Sequence, residues 1–116
     1  MKKIWPCCFS MALLSTVLAS LPVQAVERGH GSSVQYVYMQ ANGTFVIGFN
    51  SSDSYCGNIN NPKYYYAAVG QNGVTAEGIN KMYAAALTAL VAKKTIYIVY
   101  DDATTSCYIN RLQISD

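Results

Sequence analysis

Cys56 and Cys107 are the residues whose pairing would matter most to this chain. Four cysteines are present, and Cys7 and Cys8 fall inside an apolar N-terminal stretch that reads as a removable leader, so two remain. An even count in an exported chain reads as one disulfide. It would close a loop of about 50 residues and contribute about 4 kcal/mol on the chain-entropy account. The alternative, a two-cysteine metal site, lacks further ligands, because the single histidine, His30, lies in a segment that reads as a flexible, solvated lead-in. The one carboxylate pair, Asp101-Asp102, sits in a strand-to-strand turn, where aspartate is favoured for turn chemistry. Carboxylates that hydrolyse glycosides flank a cleft and come from separate elements. Glycine-rich phosphate loops and zinc spacings are absent from the sequence. The expectation is a protein that is not an enzyme and holds neither cofactor nor metal.

Binding has more material to work with. A polar loop at 50–63, NSSDSYCGNINNPK, runs into the tyrosine triplet 64–66. The segment sets Tyr55, Asn58, Asn60, Asn61, Tyr64 and Tyr66 close together along the chain. Aromatic faces suit the C–H patches of sugars, and amides suit their hydroxyls, so these six residues are the candidate ligand-binding set. Long loops in compact domains are often functional. The competing reading makes the tyrosines ordinary strand residues, alternately buried, and the loop an irregular crossover tied down by the disulfide. All ten tyrosines lie after residue 25. Tyrosine favours strands and also suits surfaces that are half apolar and half wet.

The elements that must position these residues begin after the leader. Lys2 and Lys3 precede an apolar run that ends at Val23-Gln24-Ala25, a small-x-small cleavage pattern. The apolar core is too short, and too interrupted by Pro6 and Pro22, for a comfortable span of roughly 20 residues. Residues 1–25 therefore read as a signal peptide and 26–116 as a single domain, secreted or periplasmic, with no membrane span after cleavage. In that domain Glu27, Asp53, Glu77, Asp101, Asp102 and Asp116 balance Arg28, Lys63, Lys81, Lys93, Lys94 and Arg111, so the net +2 of the whole chain comes from Lys2 and Lys3. A balanced, unclustered charge set argues against nucleic acid as a partner.

Alternation at 34–39 predicts a first strand, and Asn42-Gly43 a hairpin into a second at 44–49. A third strand is expected at 64–69. From 75 to 92 the period changes: Ile79, Met82, Tyr83, Ala86, Leu87, Leu90 and Val91 mark one face of a helix, with Thr75 as N-cap and Glu77 in the first turn. Strands four and five are expected at 95–100 and 107–115. The predicted fold is mostly β with one helix, in the order β-β-β-α-β-β. That is the element order of the OB-fold, a five-stranded Greek-key barrel, here with one disulfide. An open five-stranded sheet with one helix packed on it has the same string.

The stretch 82–100, MYAAALTALVAKKTIYIVY, resembles the helix-then-strand segment of toxin binding (B) subunits of the subtilase-cytotoxin and typhoid-toxin type. The matching residues are Met82-Tyr83 near mid-helix, Ala86-Leu87 one turn on, the basic break Lys93-Lys94, and a strand from Ile96 to Tyr100. The resemblance implies an OB-fold, a ring of five copies and glycan binding. That family's disulfide closes a shorter loop than 56 to 107, and its sugar-binding serine loop has no counterpart in this chain, so no binding residue carries across. The resulting expectation is an exported, non-catalytic module that binds a glycan or a protein surface. The alternative is a periplasmic structural or assembly protein.

Overall fold

A computed structural model describes residues 26–116. The expected leader, 1–25, lies outside the described residues. Five strands and one helix follow in the expected order: β1 (Glu27–Met39), β2 (Phe45–Phe49), β3 (Tyr64–Ala67), α1 (Ala76–Ala92), β4 (Thr95–Asp101) and β5 (Ile109–Ser115). No described helix is long and apolar enough to cross a membrane.

The hairpin and the helix form for the local reasons expected of them. Gly43 takes φ +85°, and the Asn42 side-chain oxygen accepts from Thr44 N at 3.0 Å, which closes the β1–β2 turn. Thr75 caps α1 by accepting from Gly78 N at 2.9 Å. The helix ends at Lys93, in the left-handed region at φ 54°.

The strands are all antiparallel, in the order β3-β2-β1-β4-β5. The long β1 is shared by both halves. Its C-terminal part pairs with β2, from Val34 opposite Phe49 to Met39 opposite Phe45. Its N-terminal part pairs with β4, from Glu27 opposite Asp101 to Ser33 opposite Thr95. An irregularity at Gln35, between Val34 and Tyr36, interrupts the β1–β2 register just past the changeover from β4 to β2. The two outer strands approach each other where Tyr66 N donates to Ser106 O at 3.2 Å, and α1 packs across β1 and β5. The domain is OB-fold-like, as the element order implied.

The main departure from expectation is at residues 26–33. They read as a loose lead-in because glycine, serine and arginine have little strand preference. Residues 27–33 are instead half of the longest strand, and their pairing with β4 supplies what propensity does not. Tyr97 of β4 lies across Gly29 and Gly31, and a Cβ at Gly29 would run into its ring, so those glycines leave room for a cross-strand neighbour. The other departures are boundaries: β3 stops at Ala67 and β5 starts at Ile109.

One face of the sheet closes the core. Phe45, Ile47 and Phe49 of β2, Tyr65 and Ala67 of β3, Ile96, Ile98 and Tyr100 of β4 and Ile109 of β5 are fully buried there, beneath Ile79, Ala86 and Ala89 of α1. Cys56 and Cys107 are bonded, with Cα atoms 5.8 Å apart, inside the range a disulfide spans.

Candidate functional site

Strand alternation sends β1, β2 and β3 residues to two faces, and the outward set on β1 and β3 includes four tyrosines. Tyr36 sits opposite Gly48 and Tyr38 opposite Val46. On the far side of β2, Gly48 faces Tyr64 and Val46 faces Tyr66. Tyrosines from β1 and β3 therefore flank a floor made by the smallest residue and a valine. Tyr36 leans over Gly48, where any side chain would collide with its ring. Val46, though on the outward face, is fully buried under the rings.

The rings form a continuous ladder. Tyr36 and Tyr38 are stacked at 6.1 Å. Tyr64 meets both edge-on, at 6.1 and 5.8 Å. Tyr66 meets Tyr64 at 6.1 Å, and Tyr108 continues the row at 6.5 Å. Edge-to-face pairs at these separations are each worth about 0.5–1.5 kcal/mol beyond area burial. Burial, and then the neighbouring Tyr64 and Tyr38, push the Tyr36 hydroxyl up to about 12. Its oxygen is buried without a hydrogen-bond partner among the described residues. The ladder thus offers ring edges and faces to solvent, while the Tyr36 oxygen is buried.

Of the six candidates read from sequence, Tyr64 and Tyr66 lie in this ladder. The asparagines serve the loop. Asn58 Oδ1 accepts from Asn60 N at 3.0 Å, from Asn60 Nδ2 at 2.6 Å and from Tyr64 N at 3.4 Å, while its Nδ2 donates to Thr105 O at 2.9 Å. Asn58 and Asn60 thereby stitch residues 50–63 to the turn before β5. Asn61 is exposed, ahead of Pro62. Tyr55 stands apart from the ladder, exposed beneath the Arg28 guanidinium, whose carbon is 4.0 Å from the ring centre. Tyr36, Tyr38 and Tyr108 belong to the site but not to the loop-centred reading. The signal available for the first two was their alternation in strand one.

A second constellation lies inside, where the loop meets the barrel. Tyr100 OH donates to the Asp53 carboxylate at 2.7 and 2.6 Å, and Tyr65 OH approaches it at 3.4 Å. Cys56 N donates to the same carboxylate at 3.3 Å. His30 is not a solvated linker residue: its ring stacks on Tyr65 at 5.7 Å and meets Phe49 edge-on at 5.2 Å. Its Nε2 is 2.7 Å from Ser51 O, and its Nδ1 is 4.0 Å from Asp53. Lys63 Nζ donates to Asp53 O and Cys56 O at 2.6 and 2.7 Å. This network anchors the loop.

At the barrel rim, Asp102 accepts from Arg28 Nε at 3.0 Å and from Val26 N at 3.1 Å. The Arg28 bond, with the Val26 bond adding to it, lowers its carboxyl below the usual range.

The buried hydroxyls make alkaline pH a probe of the fold. Desolvation, with the Asp53 charge adding to it, pushes Tyr65 up to about 12, and desolvation, followed by the hydrogen bond to Asp53, pushes Tyr100 further up. An unfolded tyrosine ionises near pH 10. Between about 10 and about 12 the folded state therefore holds more protons than the unfolded state, and stability falls as pH rises. Urea unfolding across that window should show this decline, and Tyr65→Phe should flatten it. An identical slope in the variant would mean that Tyr65 does not contribute.

The sequence matches no protein-family model and no curated protein. Among solved structures, it is similar in fold to the B subunit of human heat-labile enterotoxin from E. coli, in a form carrying a peptide with anti-HSV activity. The TM-score is 0.57 and the identity 9%, over 78% of this chain and 82% of that one. The shared feature is the fold.

Proposed function

We propose that this protein is an exported, non-catalytic binding module whose tyrosine ladder recognises a glycan. The observation that carries the reading is the ladder itself. Five tyrosines gather on the outward face of β1–β3 and beyond it, over a floor of Gly48 and Val46, outside the core that folds the domain. Such rings give flat apolar contact at low conformational cost, and their hydroxyls take part in hydrogen bonding at the same time. Export is supported by the Cys56–Cys107 disulfide, a bond that persists in oxidising compartments, and by the leader pattern at 1–25. Fold likeness to an enterotoxin B subunit supports a binding role. The finer likeness to B subunits of the subtilase-cytotoxin and typhoid-toxin type, with its ring of five, belongs to the same reading and rests on the 82–100 pattern.

A glycan array probed with residues 26–116 tests this. The expected result is a restricted set of bound glycans, with binding reduced about tenfold or more in Tyr38→Ala and Tyr64→Ala, since stacked aromatic contacts are worth one to a few kcal/mol. Tyr55→Ala, outside the ladder, should bind as the parent does. An array with no bound glycan, or equal binding by all three variants, defeats the proposal.

A further inference from the structure

The other half of the sheet carries a feature that the tyrosine ladder does not use. On the outward side of β4 and β5 lies a trough of about 400 Å³ lined by Tyr97, Val99, Arg111, Leu112 and Gln113. Its form follows from the register. Tyr97 is opposite Gln113 and Val99 opposite Arg111, so four outward side chains frame a cell two residues long. Tyr97 bends away from β5 across Gly29 and Gly31. That lean leaves space on the β5 side and keeps the ring 46% exposed. The Arg111 guanidinium and the Gln113 amide, both from β5, form one wall, while the Tyr97 hydroxyl lies over Gly29 on the other side. The rest is the Tyr97 ring and Val99, while the Leu112 side chain, opposite Ile98, packs against the core face.

We propose that this trough is a second binding site, which takes a small amphipathic acid: a flat apolar ring bearing one carboxylate. The ring lies against Tyr97 over Val99, and the carboxylate reaches Arg111 and Gln113. Charge decides the anionic end, since guanidinium donors in a fork match a carboxylate. The apolar floor decides the body. A hexose has a hydroxyl on most of its ring carbons, and Val99 offers no partner to those turned onto it, at a cost for each. The volume falls within the range of small-molecule pockets.

Arg111 already has a neighbour. Its Nη2 is 3.5 Å from Glu27 Oε2, and both side chains are more than half exposed, at 69% and 55%. A pair so exposed is worth little. Glu27 has an independent anchor, because its Oε1 accepts from Asn110 Nδ2 at 2.7 Å. Glu27 therefore stays in place when Arg111 turns to a ligand, and its charge opposes an incoming carboxylate. The two members of one ion pair should act in opposite directions on binding.

An NMR titration of residues 26–116 with benzoate, with benzamide as the uncharged analogue, tests the site. Benzoate should shift the amides of 97–99 and 111–113 with a dissociation constant on the order of millimolar, as befits so small a ligand. Benzamide should bind about fivefold or more weakly, a loss of roughly 1 kcal/mol. Arg111→Gln should weaken benzoate about tenfold, and Glu27→Gln should tighten it about threefold, in line with the gain and loss of one charged contact. Tyr97→Leu, which keeps an apolar residue in the strand, should weaken both ligands. The amide spectrum of each variant reports whether the fold persists. The proposal is overturned if benzamide binds as well as benzoate, if shifts scatter over the surface, or if Glu27→Gln weakens binding alongside Arg111→Gln.

Discussion

Replacing Cys56 and Cys107 together by alanine should lower the unfolding free energy by about 4 kcal/mol. The bond joins residues 51 apart in sequence, so the open chain regains the entropy of a long loop. Both sulfurs are buried, and the bridge ties the 50–63 loop to the start of β5. Domains of this size have total stabilities of about 5–15 kcal/mol, and little more than about 60% of the unfolded surface is buried on folding. The variant should therefore sit close to the folding threshold. Urea titration is the measurement, with the midpoint expected to fall sharply. A loss below about 1 kcal/mol, a quarter of the loop-entropy value, would show that β3 and the turn before β5 stay together without help and that the bridge is dispensable.

Asp53→Ala should be the costliest single substitution outside the core, at about 3 kcal/mol. The carboxylate accepts from Tyr100, Tyr65 and Cys56 N. Hydrogen bonds to a charged group contribute about 1.5–3 kcal/mol, and removal of the acceptor leaves the buried Tyr100 hydroxyl unpaired. Asp53→Asn keeps the shape and one acceptor and should cost about 1 kcal/mol. In a double-mutant cycle with Tyr100→Phe, the coupling should exceed about 1 kcal/mol. Simple additivity of the two losses would show that the hydroxyl and the carboxylate are each satisfied by water and that the loop is held by something else.

The parts of this molecule legible in its sequence are those decided within a few residues. Asn42-Gly43 specifies its turn because glycine accepts positive φ. The spacing from Ile79 to Leu90 specifies the helix because one face must be apolar. Two cysteines left in a domain specify a bond. What was not legible depends on partners far along the chain. His30 and its neighbours have no strand signature, and their place in β1 is set by β4, whose paired residues lie far along the chain, His30 opposite Ile98. Asp53 reads as one more polar loop residue until Tyr65 and Tyr100 are brought beside it. The tyrosine ladder lies between these extremes. Alternation puts Tyr36 and Tyr38 on one face and Tyr64 and Tyr66 on another, but only the register across β2 shows that both faces are the same one. The asparagines of the loop misdirect for a related reason: amide-rich segments look like recognition surfaces, and in this chain Asn58 and Asn60 bond mainly to the loop's own backbone and to each other.

The hydrogen bond from Val26 N to Asp102 changes character if export proceeds as proposed. In the uncut precursor that nitrogen is a neutral amide, half of the peptide bond that the expected cleavage would break. After scission it becomes a free ammonium, 3.1 Å from a carboxylate oxygen that the Arg28 guanidinium already keeps ionised. Maturation would then fasten the first residue of the finished protein to the end of β4, with a charged contact that its precursor cannot make.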